Sequence, residues 1–571
     1  MFFIYLIFVS RISETAYMDT GESYVHDGGH GYEMNTDSND EAHKAASPYG
    51  WPVISVTGKD IRLKHSFRFF FDMDAIAWLS MAAAHLKGTA FPEIARYSII
   101  IFVSIMAITV LFGRVFCGFI CPFGTLHHMA GFVFGKFKGM KEIERNRAIP
   151  YNRIKYALLI AFMISLFFGL NAFGWMDPIS FAYRGLALTV LPGIHYLLSS
   201  AVSLMADSNV PALSDFAFKL EDFAAPVFGY NPRYFQGAWL IGAFFFLFLY
   251  FNSHMPRFWC RVLCPLGALL GLLSKFALLS VHVDKRCISC RNCVKTCEGA
   301  ALTVKDTPRD KKTREIAVWN NAECVKCFNC LKSCPDNRIF LKFDFPERIL
   351  GRKGTDMGRR VLMKGFFAGA ALSVLARLDG RIDVAENADL IRPPGALPEK
   401  EFLESCIRCG LCMKVCPTNA VHPAITEAGL SGFWTPRLIM TLGYCEYTCT
   451  LCSSVCPTGA IMEMSALYKM TTPVRIGSSF LDRGRCLPWS GNGPCIVCEE
   501  HCPTSPKAIY FRKETVMLRN NEIKELQYPY VDLSRCVGCG ICENKCPVRG
   551  LPAIQVISAG ETRSTTNRIL L

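Results

Sequence analysis

Twenty-four of the chain's 28 cysteines fall into six groups of four. Cys287, Cys290, Cys293 and Cys297 are spaced C-x2-C-x2-C-x3-C. The same spacing recurs in Cys324, Cys327, Cys330 and Cys334, in Cys406, Cys409, Cys412 and Cys416, and in Cys536, Cys539, Cys542 and Cys546. Two groups are variants. Cys445, Cys449, Cys452 and Cys456 carry one extra residue in the first gap, and Cys486, Cys495, Cys498 and Cys502 have a long first gap. Proline follows the fourth cysteine of every group except the first, where Glu298 stands. Four thiolates in so short a run match the ligand pattern of paired [4Fe-4S] cubanes, in which three bind one cluster and the fourth crosses to its neighbour. Structural zinc sites use separated Cys-x2-Cys arms instead. The spacing therefore predicts six [4Fe-4S] clusters. In the first pair of groups it joins Cys287, Cys290 and Cys293 with Cys334, and Cys324, Cys327 and Cys330 with Cys297. In the last four groups the preferred expectation links the outer two and the inner two, with sequential pairing as the alternative.

The other four cysteines lie in a repeat. The first copy reads Arg114-Val115-Phe116-Cys117, then Cys121-Pro122-Phe123-Gly124. The second reads Arg257-Phe258-Trp259-Cys260, then Cys264-Pro265-Leu266-Gly267. Each follows an apolar run, Tyr97 to Phe112 and Phe235 to Phe251, and a further run, Ile154 to Phe173, lies between them. A match this specific marks a duplicated unit. Cys117, Cys121, Cys260 and Cys264 are a candidate additional redox or metal site: a further cluster, a redox dithiol or Cu(I), which thiolates favour. Packing is the competing role. His127, His128 and His254 read as interfacial, and Asp72, Asp74 and Asp177 as helix-start residues. With all 28 cysteines placed, none is left for a disulfide framework.

These ligands need a scaffold that is part apolar and part soluble. The chain has 571 residues, 51% hydrophobic and 19% charged, with a net charge of +14. No aromatic-interleaved basic patch suggests nucleic acid, so the basic excess reads as positive-inside loops. The stretch after Cys121 carries Lys136, Lys138, Lys141, Arg145, Arg147, Arg153 and Lys155 against Glu142 and Glu144, and is expected inside. The stretch with Asp207, Asp215, Glu221 and Asp222 is expected outside. Leu186 to Met205 is then interfacial or re-entrant, which leaves both cysteine repeats at cytoplasmic helix ends. Leu266 to Val283 reads as an apolar helix on the inner surface.

The resulting fold class is multidomain, an α-helical membrane domain plus α+β ferredoxin-like modules. Residues 1–60 form an acidic, disordered segment in which His26, His30 and His43 read as solvated. The apolar start, Met1 to Val9, is too short to span a bilayer, which takes ~20 residues. Residues 61–283 form the membrane domain, 284–345 a two-cluster module, 346–398 a basic linker, and 399–571 a four-cluster module.

The membrane part, with its two Cys-x3-Cys-Pro motifs and following cluster pair, resembles NapH and shares those motifs with NosR- and CcoG-type polyferredoxins. The last module resembles NapG, here fused to its partner. The resemblance implies a multi-pass protein of the bacterial inner membrane, with the first module cytoplasmic and the last periplasmic. It implies electron transfer from the quinol pool or a cytoplasmic donor to a periplasmic redox partner, such as a cytochrome c type protein or a reductase. Its alternative is a NosR/CcoG-like maturation role. Arg359-Arg360-x-Leu362-Met363-Lys364 resembles a twin-arginine signal, with a short anchor helix as the competing reading. A bilayer core of ~30 Å between the modules demands a relay.

Overall fold

In the computed structural model, residues 53–567 are described except 57–58, 63–70, 72, 87–94, 139–152, 209, 229–231, 285–286, 288–289, 305–316, 345–358, 379–386, 473, 518–522 and 565–566. The polar N-terminal segment with its histidines, and Asp72, lie outside the described residues.

The apolar runs become a helical bundle: α1 (Ala75–Leu86), α2 (Ala95–Phe112), α3 (Pro122–Lys138), α4 (Ile154–Phe167), α5 (Pro178–Ala206), α6 (Pro211–Phe228), α7 (Ala238–Tyr250) and α8 (Pro265–Ser274). Asp74 and Asp177 begin helices as expected: Ile76 N donates to Asp74 Oδ1 at 2.9 Å and Ser180 N to Asp177 Oδ2 at 2.6 Å. The bundle turns large apolar side chains outward, among them Phe167, Trp239 and Phe223. Among the described residues, α5 alone is long and apolar enough to cross a membrane by length and composition, and the other apolar helices are shorter.

The Leu186 to Met205 run continues the helix begun at Pro178, through a π-helical turn at Gly185–Val190 into the distal part of α5. A side chain at Gly185 would meet the Phe245 ring at 2.2 Å, so glycine lets α5 and α7 touch there. Both cysteine repeats nevertheless face the same module. A Cβ on Gly118 would meet Val325 O at 2.3 Å, and Arg257 Nε donates to Glu298 at 2.9 Å.

The chain beyond α8 corrects two expected boundaries. Leu266 to Val283 is not one helix: α8 stops at Ser274, and Leu279–Val283 is a strand paired antiparallel with Ile339–Phe343. The β-branched residues Val281 and Val283 favour that strand, so the first module begins before residue 284. A second ladder pairs Leu302–Val304 with Ala317–Trp319. Part of the expected linker packs on the bundle. Its helix α9 (Arg359–Leu378) packs along α4. Cβ atoms on Gly365 and Gly369, four residues apart, would lie 2.8 Å from Ala157 O and 2.4 Å from Ala161 O. This small-residue spacing brings two helix backbones together. Residues 387–398 belong to the last module, where Leu397 N donates to Ala460 O at 3.1 Å.

Helix α4 fixes the arrangement. At its start, Lys155 and Tyr156 bind Glu323 of the first module. Just beyond its end, Asn171 Nδ2 donates to Glu404 O at 3.0 Å and Asn171 O accepts from Arg408, both in the last module. The two modules thus occupy opposite ends of one bundle helix, and α9 runs parallel to it from the first end to the second.

Candidate iron–sulfur centres

Each cysteine loop solves the same local problem: three sulfurs must converge while nearby backbone N–H groups turn toward them. In the standard groups the residue after the second cysteine is left-handed: Arg291 (φ 61°), Phe328 (φ 58°), Gly410 (φ 84°) and Gly540 (φ 79°). Alternation of right- and left-handed residues makes an anion-binding nest suited to iron–sulfur groups. The two variant groups take another path, with Thr450 at φ −129° and Ile496 at φ −123°. Lys469 attends the first variant: its Nζ lies 3.4 Å from Cys445 Sγ and donates to Glu446 O and Cys449 O, each at 2.7 Å.

Backbone donors also reach the fourth cysteine of several groups. Ala301 N donates to Cys297 Sγ and Arg338 N to Cys334 Sγ at 3.2 Å, and Ala420 N to Cys416 Sγ at 3.3 Å.

The structure brings together specific sets of four. Cys297, Cys324, Cys327 and Cys330 line one pocket. Cys406, Cys409, Cys412 and Cys456 line another. Cys416 is the electrostatic neighbour of Cys445, Cys449 and Cys452. Cys546 neighbours Cys486, and Cys502 neighbours Cys539. The last module is therefore paired sequentially, and the expected outer-with-outer and inner-with-inner linkage is wrong. The single-turn helices of successive groups lie side by side, Leu411–Val415 against Leu451–Ser454 and Val497–Glu500 against Ile541–Lys545.

These sets fit clusters chemically. Burial, followed by neighbouring thiols, pushes Cys330 up to about 12. Burial and then Cys495 do the same to Cys498. Such thiols ionise when iron binds them, since a coordinating thiol is deprotonated outright. Among the described residues no three His, Cys, Asp or Glu groups converge on a single metal ion.

Several functional contacts carry no sequence signal. Glu298, the residue in place of proline, accepts from Arg257 and pairs with His128 at 2.7 Å, docking the first module on the bundle. Lys155 proves to be a buried anchor to Glu323 rather than a loop charge. His127 is buried and bonded to Asn252 at 2.9 Å. At the other end, Arg184 Nη1 donates to Arg408 O at 2.7 Å and its guanidinium lies 4.6 Å from the Trp434 ring.

A family model described as a 4Fe-4S binding domain matches residues 97–141, 235–286 and 452–474. A 4Fe-4S dicluster domain model matches residues 286–338 and 405–460, and another 4Fe-4S binding domain model matches 529–551. The methylamine utilization ferredoxin-type protein MauM of Methylophilus methylotrophus is 36% identical over 198 residues, 33% of this chain and 81% of that protein. The ferredoxin-type protein NapG of Escherichia coli (strain K12) is 35% identical over 168 residues, 29% of this chain and 70% of that protein. The putative electron transport protein YccM of the same organism is 28% identical over 208 residues, 36% of this chain and 47% of that protein. No solved structure matches the chain.

Proposed function

Because the chain belongs to the family of MauM and NapG ferredoxin-type proteins, we propose that it is a membrane-bound electron conduit with six [4Fe-4S] clusters. The clusters are held by the 24 grouped cysteines, with the first module on the cytoplasmic face of the inner membrane and the last on the periplasmic face. The observation that carries this reading is the attachment of the two modules to opposite ends of α4, through Glu323 and through Arg408. The outward apolar side chains of the bundle support a lipid environment.

Bound clusters supply one-electron chemistry. The residues donate backbone N–H groups to the ligand sulfurs, which tunes reduction potential. Electrons enter from the quinol pool or a cytoplasmic donor and leave to a periplasmic redox protein. Helix α9, with Arg359 and Arg360 exposed at its start, acts as a retained anchor helix, as its packing on α4 favours.

Quinol added to cluster-loaded protein in liposomes tests the donor. Rapid bleaching of cluster absorbance is expected. No bleaching with quinol, alongside prompt bleaching with dithionite, contradicts a quinol donor.

A further inference from the structure

We infer that Cys117, Cys121, Cys260 and Cys264 jointly hold one additional iron–sulfur centre, shared between the two repeats and standing as the relay between the modules. The ligand set stands on its own geometry, whereas the relay role rests on the conduit reading.

Each repeat contributes two cysteines, so neither copy alone offers four ligands. The fold brings the halves together: Cys264 has Cys260, Cys117 and Cys121 as electrostatic neighbours, and Cys121 has Cys117 and Cys260. All four are free cysteines, and three of them are buried. Both repeats have one local form. A π-helical turn, Phe116–Ile120 or Trp259–Leu263, carries the first cysteine, and the second takes an extended backbone before the proline of the next helix. Gly267 N donates to Cys264 Sγ at 3.1 Å, capping the start of α8.

The repeat arginines cross. Arg257 of the second copy donates to Cys117 O of the first at 3.3 Å. Arg114 of the first reaches into the second, where a Cβ on Gly267 would meet its Nη2 at 2.8 Å. Both arginines are buried. Four thiolates around an iron–sulfur core carry a net negative charge, and two buried guanidiniums offset it where water cannot.

The site also stands where a relay is needed. Toward the first module, Arg257 has Cys327 among its electrostatic neighbours, and Arg261 has Cys297. Toward the last module, Trp259, beside Cys260, stacks on Phe181 with centroids 5.0 Å apart. Phe181 lies 5.8 Å from the Arg184 guanidinium, which bonds the loop between Cys406 and Cys409 at Arg408 O. These contacts make a packed path from the four cysteines toward the last module. In the step itself one electron leaves a first-module cluster, which is oxidised, and the shared centre is reduced by one. The thiolates stay bound throughout.

The test counts iron and acid-labile sulfide in full-length protein purified anaerobically. Six cubanes account for about 24 irons per chain, and a shared centre raises this to about 26 as [2Fe-2S] or about 28 as [4Fe-4S]. Mössbauer spectra separate those two forms, and Cys264→Ser is expected to lose only the surplus. A wild-type count of about 24, with the four cysteines open to alkylation in the native protein, overturns the inference whether or not the variant folds. So does stoichiometric copper. The relay role is read separately, by stopped-flow reduction of the last module's clusters in wild type and Cys264→Ser. Arrival at least tenfold slower in the variant is expected, and equal rates refute the role. If the last module is never reduced through the first in wild type, the conduit reading itself fails, while the iron count still judges the ligand set.

Discussion

Removing the Glu323 carboxylate should loosen the first module from the bundle. Lys155 is fully buried and the Glu323 side chain is only 8% exposed, and the two are in direct contact. Tyr156 OH donates to the same carboxylate at 3.1 Å, and Arg114 Nη1 lies 3.9 Å from it. Glu323→Ala takes the carboxylate from Lys155 and Tyr156, while Arg114 Nη1 keeps its bond to Ala322 O. Breaking a buried pair by deleting one partner costs about 3–5 kcal/mol. That raises the local opening constant on the order of a hundredfold to a few thousandfold. Amide hydrogen exchange across the Leu279–Val283 and Ile339–Phe343 ladder reads this directly, because local opening governs exchange. The double variant Lys155→Met with Glu323→Leu should recover most of the loss, since apolar replacement of a buried pair is often neutral. A change under about 1 kcal/mol in Glu323→Ala, the behaviour of an exposed pair, would refute the docking role.

Sequential pairing predicts that Cys456→Ser damages the cluster of Cys406, Cys409 and Cys412, while Cys445, Cys449 and Cys452 keep theirs through Cys416. Electron paramagnetic resonance of reduced protein, set against Cys416→Ser, tells the two losses apart. Gly369→Leu should separate α9 from α4, because its Cβ alone would sit 2.4 Å from Ala161 O; faster proteolytic release of the last module is the readout. Burial raises the Glu399 carboxyl, but Arg392 and Arg563 outweigh it and hold it down at about 2. A lowered carboxylate stabilises fully above its unfolded value, near 4.3, and the benefit fades as pH falls toward the folded value. The stability gap between wild type and Glu399→Gln should therefore shrink from about pH 5 to pH 2, read by hydrogen exchange near Arg563.

The ligand residues were legible because iron chemistry restricts their type and spacing, and the duplicated Cys-x3-Cys-Pro unit was legible as a repeat. Cluster pairing in the last module was not. It depends on which loops meet in space, and spacing within a group says nothing of that. The strand at Leu279–Val283 was hidden because a short apolar run after a helix reads equally as more helix. Glu298 stands where the other groups have proline, and its reason appears only once Arg257 and His128 stand beside it. Arg184 and Arg408 have no motif at all: their bonds run to backbone carbonyls far away in the chain.

The central claim is that the two modules lie on opposite faces of a membrane. A membrane-impermeant protease applied to intact spheroplasts tests it most directly. The account predicts cleavage within residues 399–571 and protection of the first module until the cells are lysed. Protection of the last module in intact spheroplasts, with both modules cut only after lysis, would contradict it.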